Sequence, residues 1–284
     1  MARSLLSLFP AASALLAFRA NADPVPQPAF TEAGFAITVH CWSFKEFSLF
    51  EAIEMAAASG AGGVELFPGQ KLGGKNGDAT LHPEMTDAAL DKLIKHLTKH
   101  HVTAINLGVI PVPNDEPQAR RIFDFAKRLG LYGITTESLE SIDLLEQLSS
   151  ETDITVSFHN HPKPTALWNP ATILQALEGR HANLGFCADI GHWASSGLDP
   201  FDVVRKIAPR IRSFHVKDRA SVTEWSRDQP LGTGIIDIPT ILSIALDHGF
   251  VGNVSIEYEA NWNSNLPEIA QCVGYLRACA QLQR

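Results

Sequence analysis

Eight times from residue 35 onward, a short apolar run rich in Val, Ile and Phe is followed by a longer stretch of helical period. The runs are 35–42, 63–67, 102–109, 133–136, 154–158, 184–188, 211–216 and 253–257. They have strand length and are bounded by turn residues. Parallel strands need crossovers of about a dozen residues or more, and the stretches between the runs supply them. In "EPQARRIFDFAKRLG", for example, Ile122, Phe125, Ala126 and Leu129 fall on one helical face. Gly60, Gly130, Gly179 and Gly249 each follow a helical run as stop signals. Eight such units in about 250 residues predict an α/β fold of the (β/α)₈ barrel type. A doubly wound open sheet is the alternative, but no GxGxxG follows the first strand. No linker or low-complexity segment divides the chain, so residues 23–284 are expected to form one domain.

Residues 1–22 are set apart from that domain. Arg3 precedes "SLLSLFPAASALLAF", and the small-residue motif Ala20-Asn21-Ala22 ends the stretch, the pattern of a cleaved secretory signal peptide. A buried N-terminal helix is the competing reading. Pro10 interrupts the run and it is too short for a membrane span. The expectation is an exported protein, periplasmic or secreted, with no membrane segment in its mature form.

Arg3 and Arg19 are the only charges before Asp23, so cleavage leaves 21 basic and 31 acidic side chains and takes the net charge from −8 to −10. An acidic chain without a Lys/Arg cluster is poorly suited to grip a phosphodiester backbone, so no nucleic-acid partner is expected. Cys41, Cys187, Cys272 and Cys279 show no CxxC or zinc-ribbon spacing and are expected to be mostly buried free thiols.

A barrel of this type builds its site at the C-terminal ends of the strands. Those ends read "HCWSF", "VELF", "TTES", "FHNH", "CADIGH", "FHVKD" and "IEYE", so seven of the eight carry Glu, Asp or His. Ordinary turn chemistry would favour Gly, Ser and Asn there. Asp189, His215 and Glu257 each close an apolar strand and are suitable ligands for a divalent cation. His159 holds the matching place on the fifth strand. His161 is expected on the opposite face of a continuing strand. Glu137 is a further candidate ligand or base, and His192, three residues after Asp189, a candidate for substrate hydroxyls or a second metal. Lys217 shares the face of His215 and offers a cation to a substrate oxyanion. Glu65, Trp42 and Trp193 are candidate substrate contacts. Phe44 and Phe67 are more naturally core. "LGTGIID" at 231–237 presents backbone N–H groups to an anion or makes a tight helix entry.

"GGVELF", "FHNHP", "CADIGH", "FHVKD", "LGTGIIDIPTIL" and "VSIEYE", in this order, resemble the sugar-phosphate isomerase/epimerase family of xylose isomerase-like TIM barrels, related to ketose 3-epimerases and endonuclease IV. The likeness runs from about residue 35 to the C-terminus. It implies one divalent ion (Mn, Mg, Co or Zn) held by His159, Asp189, His215 and Glu257. It also points to proton transfer by Glu257 or a histidine through an enediolate of a small keto-sugar or hydroxy-ketone. His159 stands where the ketose epimerases carry a glutamate, which leaves Glu137 or His161 as the second acid/base. A lyase acting on a keto-glycoside needs the same first step. An abasic-site endonuclease and a non-catalytic sugar-binding barrel are alternatives of other classes, and homo-oligomer formation is left open.

Overall fold

A computed structural model describes residues 27–28, 31, 34–76, 78–222 and 226–282. The expected signal peptide lies outside them. Eight parallel strands close into a barrel: β1 Ala36–His40, β2 Gly63–Leu66, β3 Thr103–Leu107, β4 Gly133–Thr136, β5 Thr155–His159, β6 Leu184–Asp189, β7 Ile211–Val216 and β8 Asn253–Ile256. Each strand pairs with the next in sequence, and β8 closes onto β1 with Ala36 opposite Asn253 and Val39 opposite Ile256. The eightfold alternation therefore folds as the barrel, and none of the eight barrel strands is left as an open edge.

The outer layer is α1 Leu49–Ala58, α2 Asp87–Lys99, α3 Glu116–Leu129, α4 Ile142–Thr152, α5 Pro170–Ala176, α6 Ile190–Ser195, α7 Pro200–Ile207, α8 Ile238–Asp247 and α9 Leu266–Leu282. Helix α3 buries Ile122, Phe125 and Ala126 on the face its sequence predicts. It ends at Gly130, whose φ of +66° is open to glycine at little steric cost. None of the helices described is long and apolar enough to cross a membrane. All four cysteines are buried and free.

The interior of the barrel is polar at mid-height. Thr38 Oγ1 donates to Asn253 Oδ1 at 2.8 Å, Asn253 Nδ2 donates to Glu65 Oε2 at 3.1 Å, and Thr135 Oγ1 donates to Glu65 Oε1 at 2.7 Å. Buried polar groups are tolerated when paired in this way. Together these groups make a floor beneath the C-terminal mouth, and the ionisable strand ends stand above it.

Candidate metal centre

His159, Asp189, His215 and Glu257, from β5, β6, β7 and the residue after β8, converge at the mouth. One ligand atom from each lies within 4.8 Å of all the others, and all four residues are buried. The strand register accounts for this: Asp189 lies opposite His215, and His215 opposite Ser255, two residues before Glu257. His159 Nε2 is 3.5 Å from Asp189 Oδ2, and His215 Nδ1 is 3.1 Å from Glu257 Oε2. His159 Nε2 and His215 Nδ1, the two nitrogens turned toward these carboxylates, are buried without a well-formed hydrogen bond. Such orphaned nitrogens are costly unless something ligates them. Two imidazoles and two carboxylates form a donor set suited to a first-row divalent ion or magnesium, so the residues fit the ion that the sequence implies.

The surroundings orient these groups. Glu137 Oε1 accepts from His159 Nδ1 at 2.9 Å, which turns Nε2 toward Asp189. Glu65 Oε1 lies 3.2 Å from His215 Nε2, which leaves Nδ1 facing Glu257. A carboxylate behind a ligating histidine fixes its tautomer and raises its basicity. Asp189 Oδ1 also caps α6 by accepting from His192 N at 2.7 Å. Asn160 exchanges two 3.0 Å bonds with the Asp189 backbone.

Lys217 is fully buried. Its Nζ donates to Asp189 Oδ2 at 2.6 Å and to Glu257 Oε2, and lies 3.5 Å from Glu259 Oε2. Burial disfavours all three charges, but Asp189 and Glu257 hold the ammonium well above its ordinary pKa. In return, Lys217 and His215 hold Glu257 well below its own. Gly191 gives the lysine stem room, because a Cβ there would meet Lys217 Cβ at 2.5 Å.

Several expectations need correction. Strand β5 stops at His159, so His161 does not face away from the site. Its ring bonds Glu137 Oε1 and lies 5.1 Å from the His192 ring. Glu137 is grouped with His159 and His161 rather than with the four convergent ligands. Glu65 is fully buried in the barrel floor, where it supports His215 and is shielded from any substrate. A register shift between Val64 and Glu65 accompanies that inward position. Trp193 is also fully buried, a core residue rather than part of a sugar-binding wall. "LGTGIID" does present its amides to an anion, but the anion is Asp218. Its carboxylate accepts from Gly232 N, Gly234 N and Ile236 N at 2.9–3.0 Å.

Trp42 is half-buried at the mouth. It donates to Glu259 Oε1 at 2.9 Å and packs edge-on to Phe67 and Trp262. Phe44 is core, as expected. His192 is buried, with Nε2 3.4 Å from Asp189 Oδ2, and burial pushes its pKa well below the ordinary value. Sequence reasoning did not single out His40, whose Nδ1 meets Glu257 Oε1 at 3.0 Å, although the apolar run ending in His was its signal. Arg219 and Glu259 were missed as well. Arg219 pairs with Asp228 and reaches His192 from outside the barrel strands, where no periodic pattern marks it. A separate open cleft of about 530 Å³, lined by residues that include Leu198, Asp199, Phe201, Asp237 and Ile241, contains none of the site residues.

The Glu137–His161 pair predicts a pH signature. Burial opposes the Glu137 charge, but bonds from His159 and His161 bring its pKa down to about 2 from 4.5. Burial likewise opposes the His161 charge, yet Glu137 raises its pKa above 6.5. The glutamate contribution to stability is complete above 4.5 and lost as pH falls toward 2. The histidine contribution is complete below 6.5 and lost as pH rises through the folded-state value. In metal-free protein, Glu137→Gln should therefore cost most between pH 4.5 and 6.5. With both side chains more than one-third exposed, the cost should not exceed about 1 kcal/mol. Denaturant titrations across pH 3–9 test this. A constant difference between the two proteins would remove the pair from the account.

An inosose dehydratase from Clostridium botulinum (strain Eklund 17B / Type B) is 25% identical to this chain over 150 residues, 47% of this chain and 48% of that protein. The chain thus spans about half the length of that curated relative. Among solved structures, an uncharacterised protein from Parabacteroides distasonis ATCC 8503 is 28% identical with a TM-score of 0.69, covering 87% of this chain and 99% of that one. A xylose isomerase-like TIM barrel protein from Mycobacterium smegmatis, in complex with magnesium, is 13% identical with a TM-score of 0.71, covering 89% and 99%. A family model described as xylose isomerase-like TIM barrel matches residues 53–279. With that match spanning most of its length, the chain belongs to the xylose isomerase-like TIM barrel family.

Proposed function

We propose that this protein is a metal-dependent isomerase or epimerase acting on a small keto-sugar or hydroxy-ketone, by removing a proton from the carbon beside the carbonyl. The observation that carries this reading is the convergence of His159, Asp189, His215 and Glu257, with His159 Nε2 and His215 Nδ1 buried and turned toward the carboxylates of Asp189 and Glu257. These four residues would hold the ion, which when bound polarises a carbonyl and offsets the negative charge developing on its oxygen. The M. smegmatis structure contains magnesium, which supports a divalent ion in this chain.

The protein's own groups divide the remaining work. Glu257 is kept ionised by Lys217 and His215 and is the proposed base. Lys217 balances two carboxylates and presents a full positive charge where an enediolate oxygen would form. His192, kept uncharged by burial, is placed to contact substrate hydroxyls. Trp42 offers an apolar edge at the mouth. On the side of β5, Glu137 and His161 form the second acid/base, with His161 favoured in its protonated form.

That last pair favours a second reading, a dehydratase. A protonated imidazole suits the protonation of a departing hydroxyl better than return of a proton to carbon. The inosose dehydratase relative points the same way. Both reactions begin with the same proton removal, so one experiment tests the shared step. Metal-loaded protein is incubated in D₂O with a panel of keto-sugars and keto-inositols and followed by ¹H NMR. The expected result is loss of the signal of the proton beside the carbonyl, with water loss added if the dehydratase reading holds. No exchange with any panel member, by protein whose metal content is verified, would sink both readings.

A further inference from the structure

The end of α2 carries "KHLTKHH", which places His96 and His100 four residues apart on one side of the helix. Across from them on α1 stands Glu54. Its Oε1 is 3.4 Å from His96 Nε2 and 3.6 Å from His100 Nε2. One ligand atom from each lies within 4.8 Å of the others. We propose that Glu54, His96 and His100 form a second divalent-cation site, of zinc type, that clips α1 to α2 on the outside of the barrel. It shares no residue with the mouth of the barrel, and the inference is independent of the catalytic reading.

The spacing matches the ion. Tetrahedral zinc with ligands at about 2.0–2.1 Å has ligand–ligand edges of about 3.3–3.4 Å, close to the two distances to Glu54. Histidines at i and i+4 on one helix are a recurrent zinc-binding arrangement, because both rings reach the same side. The His100 Nε2 atom is buried with no hydrogen-bond partner, so it has a lone pair or proton without a use. The His96 ring is already held in place: it stacks on Phe50 at 4.2 Å with 10° between the planes, and Nε2 donates to the Phe50 carbonyl at 3.1 Å. Ligation through Nε2 gives up that bond and takes the tautomer with the proton on Nδ1, so the imidazole stays neutral. Burial first, and His100 and Lys99 beside it, move His96 below its ordinary pKa, which favours the neutral imidazole that metals require. Three protein ligands leave a fourth position for water. The consequence is a zinc-dependent clip between neighbouring helices.

The test uses the full chain. Wild type, the double variant His96→Ala/His100→Ala, Glu54→Gln and Asp189→Asn are dialysed against zinc, and bound metal is counted. The double variant and Glu54→Gln should each bind one equivalent fewer than wild type, while Asp189→Asn keeps the equivalent held by the helices. Cobalt in place of zinc should give tetrahedral d–d absorption that the double variant loses. Zinc should raise the thermal midpoint of Asp189→Asn but should not act through this site once His96 and His100 are also replaced in that background. Equal zinc content in wild type and the double variant, both folded by circular dichroism, would overturn the proposal. If the double variant fails to fold, Glu54→Gln decides the question, since its exposed side chain keeps its shape and loses only its charge. Undiminished zinc in Glu54→Gln would be equally fatal.

Discussion

Glu257→Gln should keep the barrel and still bind substrate, while solvent-deuterium incorporation at saturating metal falls about 10²–10⁴-fold, the usual contribution of a positioned acid or base. The amide preserves the shape that Lys217 Nζ and His40 Nδ1 contact but cannot accept the proton. Asp189→Asn is the control for ligation. It should weaken metal binding, and added metal should recover part of its turnover, because its defect lies in holding the ion. Wild-type exchange by Glu257→Gln would move the base role to His192 or the Glu137–His161 pair.

Lys217→Met should cost metal-free protein about 3–5 kcal/mol, since removing one partner of a buried ion pair leaves charge uncompensated. Lys217 is fully buried, and it contacts both Asp189 and Glu257. Methionine keeps the length of the stem but leaves those two carboxylates with less positive charge around them. A divalent ion supplies that charge, so saturating manganese or magnesium should recover most of the loss and stabilise the variant more than wild type. Denaturant unfolding with and without metal measures both. A loss below about 1 kcal/mol would mean that the carboxylates are protonated or solvated, contrary to their strong contact with the ammonium.

Much of this was legible in the chain. The eight apolar runs matched strand after strand, with β4 and β7 at the expected bounds. Asp189, His215 and Glu257 could be assigned to one cavity because parallel barrel strands bring all their C-terminal ends together. The misreadings have local causes. His161 was assigned by alternation, which applies only while the strand continues. It ends at His159, Asn160 turns its side chain to the Asp189 backbone, and Pro162 removes a ladder donor. Glu65 ends a strand as the others do, but a register shift in β2 accompanies its place in the floor. The partner of the "LGTGIID" amides, Asp218, lies in a short strand paired with residues 228–229, more than a dozen residues upstream, and no local spacing could announce it. Helix α6 starts directly after Asp189, and burial of its Trp193 depends on tertiary packing that a turn following a strand does not reveal.

The central claim is that the ionisable strand ends form one cation site. A crystal loaded with manganese and measured at the manganese absorption edge tests it most directly. The account predicts a single strong anomalous peak at the mouth of the barrel, within about 2.0–2.3 Å of His159 Nε2, His215 Nδ1 and carboxylate oxygens of Asp189 and Glu257. No anomalous peak among those four residues at saturating manganese, with Lys217 still spanning Asp189 and Glu257, would contradict it.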